Sequence, residues 1–145
     1  MHLRILLLFL GLLVLYNGNA QKKEPLPYTI SEGDTSKFLF EYKLFYVGSN
    51  VHIDLNYQYV LEHLVELLEA NPNWKIEVRG HVCCGPSLRI SKRRARKVYN
   101  FLKRSGIHKS RITFTGYSDE MPMAFPEKTE DDERVNRRVD FVITR

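Results

Sequence analysis

The sequence predicts one α/β domain, a two-layer sandwich with two helices laid on a small mixed β-sheet in a βαβαβ core. Three observations carry that expectation. Apolar residues recur at helical spacing in two windows, Tyr57 to Leu68 and Ser91 to Leu102. They alternate at strand spacing in three others, around Ile76–Val78, Ile112–Phe114 and Val139–Ile143. Helical and strand windows also take turns along the chain, the order expected of helices packed over a sheet.

The first twenty residues read as a signal peptide rather than as part of the fold. Arg4 is followed by an unbroken apolar run from Ile5 to Leu15, and Gly18-Asn19-Ala20 supplies small residues for cleavage near Ala20. The run is shorter than the roughly 20 apolar residues a membrane span needs. An uncleaved tether is the alternative, and secretion is the expectation. Gln21 rather than cysteine follows, which closes the lipoprotein route. Residues 21–36 form a polar, proline-bearing leader, and residues 37–145 form the domain, with no transmembrane segment expected in the mature chain.

Lys37 to Val47 (KFLFEYKLFYV) is aromatic and strand-like. Asp54 is placed to cap a helix running to about Ala70, where Asn71-Pro72 stops it. Lys75 to Gly80 alternates, with Ile76 and Val78 inward and Glu77 and Arg79 outward. Gly85-Pro86-Ser87 is loop chemistry leading into a second helix that ends near Gly106. Arg111 to Gly116 and Val139 to Ile143 complete the strands.

Charge is segregated. No Asp or Glu lies between Val78 and Ser118, whereas Asp119 to Glu133 is mostly acidic. At 100° per residue, Ser91, Ala95, Val98 and Leu102 form the core face of the second helix, while Arg89, Lys92, Arg93, Arg96, Lys103 and Arg104 scatter over the other side. A basic face near Tyr99 and Phe101 could grip a phosphate backbone, but a secreted chain seldom meets cytoplasmic nucleic acid, so a solvated face is expected. Arg94 belongs to neither set. It sits about 70° from the core-face centre, where an arginine can bury its stem and aim its planar donors along the sheet edge, or simply snorkel.

Several short motifs then combine. IEVRGH at 76–81, Ser91-x-x-Arg94-Ala95-x-x-Val98-x-x-x-Leu102, Ser105-Gly106-Ile107, Arg111-Ile112-x-x-x-Gly116 and Asn136-Arg137-Arg138-Val139 stand in this order. The combination resembles the C-terminal, peptidoglycan-binding domain of outer-membrane protein A, shared with peptidoglycan-associated lipoproteins and flagellar stator proteins. The resemblance covers about Phe45 to Thr144.

It implies a non-catalytic module of the periplasm or outer membrane. Such a module holds the diamino acid of the peptidoglycan stem peptide without covalent chemistry or cofactor, and links an envelope assembly to the wall. Arg94 matches the arginine that takes the ligand's carboxylate, a bidentate pairing that is strong and directional. Arg137 is the second base expected beside the pocket, with a structural ion pair to an acid of Asp119–Glu133 as its alternative. Asn136 is expected to fix the local backbone.

The departures are specific. The family's GHTD has become Gly80-His81-Val82-Cys83, so Cys83 stands where the ammonium-binding aspartate belongs. The following loop is shorter, and Ser87 falls near the position of the family's asparagine. Either the grip on ordinary peptidoglycan is weak or the ligand differs. The alternative role is a structural or protein-interaction subunit of an outer-membrane complex that has lost wall binding.

Cys83 and Cys84 are the only cysteines. Adjacent α-carbons sit closer than the usual disulfide range of about 4.4–6.8 Å, so they bridge each other poorly, and a vicinal disulfide would need a strained loop of the kind Gly85-Pro86 could tolerate. Free thiols, an intermolecular bridge and metal stay open. His81, Cys83 and Cys84 offer at most three ligands for a closed zinc site that takes four, so no metal is expected. The remaining histidines lack catalytic spacing, and no serine sits in a nucleophile elbow. Enzyme activity is not expected.

Overall fold

The structure, a computed structural model, describes residues 36–145. The expected signal peptide and all but the last residue of the leader lie outside the described residues.

Five strands form one mixed sheet: β1 (Lys37–Leu39), β2 (Leu44–Phe45), β3 (Lys75–Gly80), β4 (Ile112–Gly116) and β5 (Arg138–Thr144). The order is β1-β5-β3-β4, with β2 also paired to β5. Strands β3 and β4 run parallel through the crossover helix α2 (Leu88–Arg104), and β5 runs antiparallel to β3, β1 and β2. The first expected strand is therefore two short ones, interrupted by Tyr42-Lys43 and its neighbours.

Helix α1 (Gln58–Ala70) is entered through a single 3₁₀ turn at Leu55–Tyr57, and Asp54 caps that turn by accepting from the Asn56 N–H. Its far end is closed by an unforeseen anchor. The Arg111 guanidinium donates to the carbonyls of Leu68, Asn71 and Trp74 at 2.7–2.8 Å, satisfying acceptors the helix leaves open.

The core lies between the helices and one face of the sheet. Leu61, Leu64 and Leu68 of α1 and Ala95, Val98 and Leu102 of α2 meet Ile76, Val78, Phe141 and Ile143, all essentially inaccessible to water. Burying each large apolar side chain contributes about 1.5–3 kcal/mol.

The small residues of the sequence motifs have a direct steric cause. A Cβ on Gly80 would overlap the Ser91 carbonyl oxygen, and one on Gly116 would lie 2.6 Å from the Lys92 nitrogen and 2.7 Å from Ser91 Oγ. Helix α2 thus rests backbone to backbone on the ends of β3 and β4. Ser91, buried in that contact, donates to Leu88 O and accepts from the Ser118 N–H.

A third helix, α3 (Glu130–Asn136), was not anticipated. It opens on a capping box in which Thr129 and Asp132 bond to each other's backbone N–H. Gly80→Ala is expected to destabilise the domain by about 3 kcal/mol or more, as overpacking against rigid backbone does. Urea unfolding of the isolated variant measures this, and a loss below 1 kcal/mol, on the order of an ordinary surface change, would show that the helix can lift off the sheet.

Candidate ligand-binding site

A cavity of about 480 Å³ opens at the N-terminal end of α2. That size lies within the range of small-molecule pockets. Its wall is built from Gly48 and Ser49 of the β2–α1 loop, Val82 to Ser87 of the β3–α2 loop, Ile90 of α2, and Arg137 between α3 and β5. Of the four residues singled out from the sequence, Cys83, Ser87 and Arg137 line this cavity, and Arg94 does not.

Arg94 corrects the expectation of a guanidinium reaching an open pocket. Its side chain is fully buried. Nε donates to Asn50 O at 2.9 Å, Nη1 to His81 O at 2.8 Å and Nη2 to Gly48 O at 2.6 Å. The Tyr46 ring lies 4.6 Å from its central carbon, a favourable cation–π distance. The physical reason is local. The β2–α1 loop folds over the helix end, with Gly48 adopting φ +50°, and turns its carbonyls onto the guanidinium. Arg94 holds the pocket wall from behind.

Its charge is nevertheless uncompensated, because all three acceptors are neutral carbonyls. Burial lowers the guanidinium to about 10, with Tyr46 opposing and Arg137 reinforcing the shift. Arg94 stays protonated at neutral pH, behind the Gly48–Ser49 wall.

Arg137 is the charged side chain on the pocket surface. Nη1 donates to Glu133 Oε2 at 3.0 Å and contacts Cys83 Sγ at 3.2 Å, while Nε reaches Tyr46 O at 3.3 Å. The two sequence-based alternatives for Arg137 therefore coexist, since it pairs with Glu133 and also faces the cavity. Asn136 fixes backbone: Oδ1 accepts from the N–H groups of Met123 and Ala124, and Nδ2 donates to Ala124 O and to Glu127. Ser87 enters through its backbone, its N–H donating to Ser118 Oγ at 2.8 Å.

The cysteines adopt the option the sequence disfavoured. Cys83 and Cys84 are joined as a vicinal disulfide with α-carbons 3.8 Å apart. Two successive left-handed residues, Cys84 (φ +62°) and Gly85 (φ +108°), make the turn that brings the sulfurs together. The Cys84 N–H is held by Glu127 Oε2 at 3.0 Å. His81 does not join the cysteines. Glu133 instead approaches both sulfurs within 4.8 Å, but Arg137 already occupies the position between Glu133 and Cys83.

His81 faces a separate charge cluster that sequence reasoning missed. Asp140 of β5 receives Arg79 Nε on Oδ1 at 2.7 Å and Arg138 Nε on Oδ2 at 3.0 Å, and His81 Nε2 lies 3.3 Å from Oδ2. Burial opposes ionisation of Asp140, yet contacts with His81 and Arg79 outweigh it and hold the carboxyl well below the usual carboxylate range. Burial likewise pushes His81 down, against the pull of Asp140, which leaves the ring neutral and stacked on Tyr117. We attribute the Asp140 shift chiefly to the permanently charged Arg79 rather than to a neutral imidazole. The available signal was the register pairing of Arg79 with Asp140 across β3 and β5.

The fold is a two-layer α/β domain with a cationic, partly apolar pocket at one helix end. Residues 44–137 match the OmpA family, and the chain belongs to it. It is 36% identical over 84 residues to outer membrane porin F of Pseudomonas fluorescens, a stretch covering 55% of this chain and 26% of that protein. The chain thus spans about a quarter of that relative's length.

Among solved structures it is similar to the peptidoglycan-associated lipoprotein of Burkholderia pseudomallei (TM-score 0.66, 21% identity, 70% of this chain and 89% of that one). It is also similar to a putative MotB-like protein of Desulfovibrio vulgaris (0.67, 22%, 77% and 78%). A third is the cell wall anchor of the T6SS from Pseudomonas aeruginosa (0.63, 20%, 78% and 85%). At these identities the likeness establishes the fold. Among the described residues no helix is long and apolar enough to cross a membrane.

The charge cluster predicts a pH profile. Both His81 and Asp140 titrate below their ordinary values, so the unfolded chain binds protons first and stability falls with falling pH. The decline should begin near the unfolded histidine value of about 6.5, with a slope of up to about 1.4 kcal/mol per pH unit, and steepen below about pH 4. Urea unfolding across pH 4–8 measures it. His81→Gln should remove the upper decline, and Asp140→Asn should cost roughly 3 kcal/mol or more at neutral pH by leaving Arg79 and Arg138 unpaired.

Proposed function

We propose that this domain is a non-catalytic binding module of the bacterial cell envelope that holds a carboxylate of the peptidoglycan stem peptide and so links an envelope assembly to the wall. The observation that carries the reading is the placement of Arg137 on the surface of the 480 Å³ pocket, with the unneutralised Arg94 behind it. Arg137 offers the direct contact. Arg94 adds positive potential and holds the Gly48–Asn50 loop that forms one wall. Cys83 and Ser87 shape the opposite side. Membership of the OmpA family and the fold of a peptidoglycan-associated lipoprotein and a cell wall anchor support the reading. The site of action is the periplasm or the inner side of the outer membrane, after cleavage near Ala20 releases the leader and domain.

A specific observation favours a second role. The arginine of the SxxRA motif is sealed by three carbonyls, and among the described residues no carboxylate lines the cavity. A protein-interaction subunit that no longer grips the wall would show both features.

Capture of the domain on purified sacculi separates the two. Wild-type protein should be retained and Arg137→Ala should lose about ten- to hundredfold in affinity, the contribution of a hydrogen bond to a charged group. Arg94→Ala should lose capture together with stability, and Cys83→Asp combined with Cys84→Ala should strengthen capture of walls carrying free diamino acid. Equal retention of wild type and Arg137→Ala would end the wall-binding reading. Absence of retention together with co-purification of outer-membrane proteins selects the second role.

A further inference from the structure

We propose that the Cys83–Cys84 disulfide is a redox-active site that undergoes thiol–disulfide exchange with a dithiol, with Cys84 as the sulfur attacked and Cys83 as the leaving group stabilised by Arg137. Three observations converge on that direction of attack. Cys84 is exposed on the loop, whereas Cys83 is half-buried against the pocket. Arg137 Nη1 contacts Cys83 Sγ at 3.2 Å. The chain holds no third cysteine, so the pair exchanges only with external thiols.

The step balances with a dithiol as the reductant. Its first thiolate attacks Cys84 Sγ, forming a mixed disulfide as the Sγ–Sγ bond breaks and its electron pair leaves on Cys83 Sγ. That thiolate forms beside the Arg137 guanidinium, and a leaving thiol of lower pKa departs faster. The second thiol of the reductant then attacks its own partner sulfur, closing the oxidised dithiol and releasing Cys84, which takes up a proton. Two electrons have moved from the dithiol to the protein.

Glu133 tempers the site, because it already shares Arg137 Nη1. Reduction also releases the constraint that keeps Cys84 at φ +62°, a left-handed conformation costly for a residue with a Cβ. The loop that forms one pocket wall is then free to relax, and a Cys83 thiolate competes with any carboxylate for Arg137. The exchange chemistry itself does not depend on what the pocket binds.

The test uses the folded protein spanning residues 21–145, with dithiothreitol as the reductant, acid quenching, alkylation and intact-mass measurement. Wild type is expected to gain two hydrogens on reduction under native conditions, each then replaced by an alkyl group. Arg137→Gln should slow reduction about tenfold. Glu133→Gln, which leaves Arg137 to the sulfur alone, should accelerate it. Brief exposure to excess glutathione followed by N-ethylmaleimide should place glutathione on Cys84 and the maleimide on Cys83. A bond that yields to dithiothreitol only after denaturation, an unchanged rate in both variants, or glutathione mapped chiefly to Cys83 would overturn the proposal. Circular dichroism of each variant confirms that rates are compared between folded proteins.

Discussion

The buried guanidinium of Arg94 is the constraint on which the pocket end of the fold depends. One side chain binds carbonyls from the β2–α1 loop at two positions and from the end of β3 at a third, joining segments separated by more than thirty residues. Each bond to a charged donor contributes about 1.5–3 kcal/mol. The alternative, a desolvated cation without acceptors, is far less favourable. The loop conformation and the arginine therefore require each other. Because the Gly48 and Ser49 wall is held by this arginine, the shape of the cavity and the packing of α2 are set together.

The polar interior is divided into two systems that satisfy their arginines differently. Around Asp140, two arginines and a neutral histidine surround one carboxylate, and the group cross-links β3 to β5. Around the pocket, Arg94 meets only carbonyls and Arg137 meets one carboxylate that is itself partly exposed. His81 touches both, offering its ring to Asp140 and its carbonyl to Arg94. Each system holds one more guanidinium than carboxylate; the first lies within the sheet, and the second stands beside the cavity, where an anion can gain from it.

Much of this was legible in the chain. The apolar periods of α1, α2 and the longer strands survive because each element buries one continuous face. The motif glycines were readable as motif members, but their cause, contact of the α2 backbone with the ends of β3 and β4, is a three-dimensional fact. Helix α3 was hidden in an acidic run that resembles a solvated tail, although Thr129 and Asp132 carry a capping signal. Asp140 was missed because alternation along β5 assigns it to solvent, whereas both faces of that strand are largely covered. Arg94 was located correctly on the border of its helix, and its destination was not, since no local pattern reveals that a distant loop will deliver three carbonyls.

The cysteine pair sets the electrostatics of one side of the cavity. Where the resemblance places an aspartate, the chain carries a neutral disulfide, and the nearest acids are committed: Glu127 to the Cys84 N–H and Asn136, Glu133 to Arg137. A ligand ammonium entering here would meet no free carboxylate and would face two guanidinium groups, one at the surface and one behind the wall. A carboxylate would meet the reverse. The substitution therefore biases the cavity toward anions with apolar bodies, the latter accommodated by Val82, Pro86 and Ile90. Because the neutral element is a bond between two sulfurs rather than a fixed residue, the same bias is open to chemical reversal: cleaving it places an ionisable thiol against Arg137 and restores a negative charge to the position from which the aspartate was lost.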